Sequence, residues 1–143
     1  MPDQHSPAVP QGFEPINQVG GNFAVLVGPF HVCRDTTPAR FGVRLTEAHN
    51  NVRGVCHGGM LMAFADHLLG YAVVEALGPE PIATISLTSE FVRAAMPGDW
   101  IEGTSEIVRI TRSVVFMRGT LRRGADTVLI ATGLWMRLGT RPA

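Results

Sequence analysis

Two groups of residues in this chain have the chemistry to act on a substrate. Asp66 stands inside a long, nearly unbroken apolar run that ends at Leu77. Burying an unpaired carboxylate is costly or forces a large pKa shift. Asp66 is therefore either a structural polar residue with a partner or water, or a carboxylate held in a dry cleft as base or nucleophile. His57-Gly58-Gly59 opens the same run. Two glycines at a helix start leave backbone N–H groups uncovered at the positive end of the helix dipole. That arrangement suits an anion or a developing oxyanion, and it equally suits a tight turn.

The element that positions both groups is a helix predicted over Gly59 to Leu77. The run is too long for a strand and is rich in Met, Leu and Ala. Gly78-Pro79 supplies the stop signal. Apolar residues appear all the way round, which predicts a helix buried on every side and wrapped by a sheet. A membrane span is marginal by length, and the central Asp66-His67 pair argues against one. Nine residues separate His57 from Asp66, a rise of roughly 13 Å and about half a turn of rotation. The two groups of one chain cannot flank one small reacting group. A two-fold dimer with two shared sites resolves this.

The pattern Asn51-x-x-Gly54-x-x-His57-Gly58-Gly59, followed by Asp66, resembles the hotdog-fold acyl-CoA thioesterases of the PaaI type, within the 4-hydroxybenzoyl-CoA thioesterase superfamily. The resemblance covers residues 25 to 138. It implies an α+β hotdog fold, a long central helix wrapped by an antiparallel β-sheet. It also implies homodimers that pair into homotetramers, with active sites at the dimer interface. The implied substrate is an acyl-CoA, so coenzyme A enters as part of the substrate and no separate cofactor is expected. Carried onto this chain, Asp66 activates a water or attacks directly to form a mixed anhydride. Gly58 N–H holds the oxyanion beside Gly59, and His57 shapes the loop and orients the carbonyl. Asn51 positions the water or supports the loop, and the Thr84 hydroxyl holds the water or the carboxylate. From the residues alone, Asn51 is equally a turn residue and Thr84 equally an ordinary strand residue.

The rest of the chain fits one domain. With 45% hydrophobic residues it can bury a core, and its zero net charge gives no bulk attraction to nucleic acid or membrane. Residues 1–21 read as a loosely ordered arm with room for a short helix before Gly20, and 22–143 as the hotdog domain. The arm lacks the basic start and apolar stretch of a signal peptide, and a cytoplasmic location is expected. Residues 22–32 read as a short apolar strand broken near Gly28-Pro29. Residues 39–47 alternate as a half-buried strand. Four strand-like runs follow the helix: Ile82 to Val92, Asp99 to Arg109, Ser113 to Leu121 and Thr127 to Leu138. In the first, Thr84, Ser86, Thr88 and Glu90 share one face by simple alternation.

All twelve basic residues are arginine. Arg109, Arg112, Arg122 and Arg123 lie near two strand connectors and are candidates for a basic rim that binds CoA phosphates, or are solvated turn residues. Cys33 and Cys56 have no metal-type or disulfide-framework spacing, and His49, His57, His67 and Asp66 lack a zinc pattern, so no metal is expected. Cys56 beside His57 is not expected to act as a nucleophile. Met60, Phe64, Leu68 and Tyr71 either line a pocket for an aryl or medium-chain acyl group or are core. Two other functions fit a hotdog chain: a dehydratase-hydratase acting on enoyl or hydroxyacyl thioesters, and a non-catalytic acyl-CoA-binding protein.

Overall fold

The computed structural model describes residues 8–16 and 21–139. In chain order the elements are β1 (Glu14–Pro15), α1 (Gly21–Val27), β2 (Phe30–Cys33), β3 (Arg40–Arg44), a 3-10 turn (Glu47–His49), α2 (Gly58–Leu77), β4 (Ile82–Phe91), β5 (Trp100–Ile110), β6 (Val114–Arg123) and β7 (Asp126–Arg137). The strands form one seven-stranded sheet in the order β1-β2-β3-β5-β6-β7-β4. Every neighbouring pair is antiparallel. The sheet curls around α2, as the resemblance implied.

The helix and the sheet meet through interlocking apolar faces. Met60, Leu61, Phe64, Ala65, Leu68, Leu69 and Val73 of α2 are buried. They pack with Phe41, Val43, Ile101, Met117, Leu121, Leu129 and Trp135 of the strands. Met60, Phe64 and Leu68 are thus core residues. Two strand glycines set how close α2 can lie. A Cβ on Gly103 would sit 2.2 Å from Leu68 Cδ2, and one on Gly119 would sit 2.9 Å from Leu69 Cδ2. A side chain at position 103 would displace the Leu68 side chain, and one at 119 would meet both Leu69 and the Thr104 carbonyl, at 2.8 Å, so either would disturb the close packing of α2 on the sheet.

Three expectations need correction. Residues 21–27 form α1 rather than a strand. A short apolar run has no period that separates helix from strand, and Pro29 marks the break for either. Second, the arm is not loose where it is described. Phe13 is buried with its ring 5.1 Å from that of Trp100, and Glu14–Pro15 pair with β2. No helix precedes Gly20 among the described residues 8–16, and residues 17–20, where the expected short helix could also lie, are outside them. Third, α2 is not buried on every side. Within one chain the sheet covers one side, leaving Ala63, Asp66, His67 and Val74 half-buried and Glu75 and Ala76 exposed. By length and composition α2 could cross a membrane, but its buried face is the core of this sheet.

Two histidines are held in apolar surroundings. The ring of His67 lies 4.6 Å from that of Phe30, and its Nε2 is buried without a partner among the described residues. Burial lowers its pKa below the ordinary 6.5, against the opposing pull of Asp66. Burial likewise lowers that of His31. The unfolded chain therefore binds more protons than the fold below pH 6.5. Stability is complete above that pH and falls as pH drops through the window beneath it. Thermal unfolding followed from pH 7.5 to 5.5 should show this fall, and His67→Met should flatten it. An unchanged slope in the variant would remove His67 from the account.

Candidate active site

Asp66 faces β4. Its Oδ1 accepts a hydrogen bond of 2.7 Å from the hydroxyl of Thr84. The carboxylate is half-buried and Thr84 is exposed at the sheet's last strand. Simple alternation would not have turned Thr84 this way. In the β4–β7 ladder Thr84 pairs with Trp135 and Ser86 with Leu134, so Ile85 is an extra residue in a β-bulge. Trp135, Gly133, Ala131 and Leu129 are the inward, buried positions of β7. Thr84 therefore shares the inner face with Leu87, Ser89 and Phe91, while Ser86, Thr88 and Glu90 face outward. The predicted grouping of Thr84 with those three is corrected by the bulge, which no glycine or proline announces.

At the other end of the helix, His57 is the N-cap. Its Nδ1 accepts from Gly59 N–H at 2.8 Å. This closes the Gly59 N–H and holds the imidazole proton of the neutral ring on Nε2. No group among the described residues accepts from Gly58 N–H. Gly58 is thus the open donor at the positive end of α2. The loop that presents it is tied down in three places. Asn51 N–H donates to Val55 O at 2.8 Å, Asn51 Oδ1 accepts from Arg53 N–H at 2.8 Å, and His57 N–H donates to His49 O at 2.7 Å. The Asn51 side chain is therefore an Asx-turn group that shapes the loop.

The structure does not bring all candidates together. Gly58 is eight residues before Asp66 on the same helix, about 12 Å of rise away. Gly58 instead neighbours Phe91, near the end of β4 remote from Thr84: a Cβ on Gly58 would lie 3.0 Å from the Phe91 ring. The four candidate arginines divide between the two ends of the β5–β6–β7 meander. Arg109 and Arg112 lie at the β5–β6 turn, Arg122 and Arg123 at the β6–β7 turn. Ten residues of β6 separate the turns, roughly 30 Å of extended chain. Arg123 is engaged by Asp99 at 3.0 Å and Asp126 at 3.6 Å.

Two hollows flank the helix start. One, of about 420 Å³, is bordered by Gly58, Leu61, Phe91, Arg53 and Arg93. The other, of about 250 Å³, is bordered by Phe23, Val27, His57, Gly59, Met60 and Ala63. Sequence reading missed Arg53, Arg93 and the α1 residues, since loop arginines and a short apolar run carry no distinctive signal. A further hollow, of about 520 Å³, lies elsewhere, between Arg34, Phe41, Ala72 and Glu75. Among the described residues no three His, Cys, Asp or Glu side chains gather as a metal site.

The sequence and the fold have known counterparts. A sequence model described as the thioesterase superfamily matches residues 53–130. A Pseudomonas aeruginosa protein named as a candidate esterase is 33% identical over 130 residues, 89% of this chain and 96% of that one. Among solved structures, a variant of the phenylacetic acid degradation protein PaaI from Thermus thermophilus superimposes with a TM-score of 0.72 at 23% identity, over 81% of this chain and 98% of that one. A hypothetical thioesterase from Streptococcus pneumoniae, solved with coenzyme A, gives a TM-score of 0.66 at 23% identity, over 73% and 80%.

Cys56 lies beside His57 in sequence but not in function. It is buried, and burial with nearby Asp99 pushes its thiol pKa up to about 11. The thiolate is the reactive form, so this thiol is inert at neutral pH. Iodoacetamide at pH 8 should leave Cys56 unmodified in the folded protein and alkylate it after denaturation, as read by mass spectrometry. Rapid alkylation of the native protein at Cys56 would contradict the assignment.

Proposed function

The chain belongs to the thioesterase superfamily and is a thioester hydrolase, and we propose that it hydrolyses aryl- or medium-chain acyl-CoA to the free acid and CoA at a site shared by two subunits. The observation that carries this reading is the Asp66–Thr84 hydrogen bond at one end of β4, with the open Gly58 N–H beside the other end. A carboxylate and an open N–H are the two groups that thioester hydrolysis requires. The first activates water, and the second stabilises the oxyanion of the tetrahedral intermediate.

β4 supports a two-subunit arrangement. It is ten residues long, closes one side of the sheet, and exposes Ile85 and Phe91, with Val92 exposed just past its end. A long open edge of this kind needs a partner or a cover. Antiparallel pairing with a second β4 about a two-fold axis near Leu87 and Thr88 would set Thr84 of one chain opposite the Phe91 region of the other. The partner subunit's Asp66 would then approach Gly58. This removes the separation along one helix, and it accounts for the half-buried outer face of α2. The reading is a homodimer, with homotetramers built from it.

In this mechanism the thioester carbonyl accepts from Gly58 N–H, with His57 keeping the loop in shape and Asn51 holding the turn before it. The partner subunit's Asp66, steadied by Thr84, takes a proton from water as that water attacks the carbonyl carbon. The tetrahedral intermediate collapses with loss of the CoA thiolate, which is protonated on leaving. Nucleophilic attack by Asp66 is the alternative route, and trapping of labelled solvent oxygen in Asp66 during single turnover would reveal it.

Asp66→Asn should lower kcat by about a hundredfold or more while leaving the oligomer intact. Gly58→Pro removes the N–H at a first helical position that proline suits, with His57 before it already extended, and its ring also presses on Phe91, 3.0 Å from a Cβ placed there. It should cost about 10²–10³ in kcat. Thr84→Val should give a smaller loss. Mixed, dissociated and reassociated, the two inactive variants should recover about a quarter of wild-type activity, because half the dimers then hold one intact site. Thiol release from an acyl-CoA panel reads all four. Recovery no higher than either variant alone would put both groups in one chain. Hydration of enoyl-CoA without thiol release would replace hydrolysis with the hydratase reading.

A further inference from the structure

We propose that Arg53 and Arg93 form the clamp that holds the phosphates of the CoA half of the substrate. This inference rests on the acyl-CoA reading above. The two residues come from distant parts of the chain, the loop before α2 and the loop after β4. They nevertheless border the same groove of about 420 Å³, which has Gly58, Leu61 and Phe91 along it.

Their side chains are uncommitted. Among the described residues, six arginines are paired. Arg34, Arg40, Arg118, Arg123 and Arg137 pair with carboxylates, and Arg44 donates to the carbonyls of Gly98 and Ala8. The guanidiniums of Arg53, Arg93, Arg109, Arg112 and Arg122 have no such partner. Of these five, Arg53 and Arg93 border the groove that carries Gly58. Arg112 borders a different hollow, beside Glu80 and Arg137.

Their backbones are fixed. Arg53 N–H donates to Asn51 Oδ1 at 2.8 Å, and Gly54 turns the loop with a φ of 77°. Arg93 N–H donates to Val128 O at 3.3 Å. Asn51 therefore does two jobs, shaping the approach to Gly58 and setting where the Arg53 side chain begins. A thioester whose carbonyl sits on Gly58 N–H sends its sulfur arm into the groove, along Leu61 and Phe91. The phosphates then meet two guanidinium forks, whose geometry suits phosphate oxygens. An acyl group bearing its own carboxylate presents the same chemistry to the same forks, so the test separates the two sources.

The test compares wild type with Arg53→Gln/Arg93→Gln on one acyl group carried by CoA and by N-acetylcysteamine, which has no phosphate. Calorimetric titration with CoA itself runs alongside. Arg118→Gln, on the outer strand face, is the control for loss of an arginine. The double variant should raise KM for the CoA ester about tenfold or more and weaken CoA binding in step. The loss should be confined to the phosphate-bearing carrier. Single Arg→Lys variants, which keep charge but lose the fork, should fall in between and guard against a misfolded double variant. Equal losses on both carriers, or unchanged CoA affinity, would overturn the clamp. Losses that appear only with acyl groups carrying a second carboxylate, on either carrier, would reassign the anion to the acyl group and also overturn it. A wild type that hydrolyses no thioester yet binds CoA through both arginines would reject the hydrolase reading and keep the clamp.

Discussion

The constraint on which this structure depends is a carboxylate halfway along an apolar helix. Asp66 cannot be sealed into the core without a large energetic cost. The fold answers by covering only one side of α2. Leu61, Phe64, Leu68 and Leu69 face the sheet, while Asp66 lies where the wrapping ends and a single strand, β4, comes alongside. The Thr84 hydroxyl offers it a hydrogen bond there. The incomplete wrapping and the inward Thr84 hydroxyl are thus two responses to the same side chain.

The sheet can curl tightly around α2 because it omits side chains where the helix is closest. Gly103 and Gly119 stand opposite Leu68 and Leu69, and the two leucines fill the space those glycines leave. This pins the height of α2 over the sheet. It also fixes the positions of the residues carried at the helix start and middle. The His57 cap then selects among the donors at the helix start: by accepting from Gly59 it leaves Gly58 as the outward N–H. Rigid packing beneath and a local cap above together aim one hydrogen-bond donor.

Much of this was legible in the sequence, and for physical reasons. A long apolar run with a central Asp-His pair, ended by Gly78-Pro79, reads as a helix packed on a sheet, and the four strands after it keep their expected spans within two residues. The separation of His57 from Asp66 along one helix followed from helical rise alone. What was not legible depends on contacts distant in sequence. Residues 21–27 carry no period that distinguishes helix from strand. The apparent all-round burial of α2 came from counting apolar residues without knowing how much sheet one chain can supply. The four arginines near the meander turns looked like one rim because sequence proximity hides the length of β6 between them. Arg53 and Arg93 lie forty residues apart and gave no hint that they border one groove.

The bulge at Ile85 has a consequence for how this strand can change. Thr84 faces inward because one residue is added to β4, and the identity of that residue contributes little to the effect. The frame of the strand is set by length, as a reading frame is. A position of this kind tolerates exchange of its side chain for any that suits an extended backbone. Loss of the residue inverts the orientation of everything before it, returning Thr84 to the outer face and presenting Ala83 to the carboxylate. In a lineage descended from this chain, residue 85 would drift freely in type and be held strictly in number.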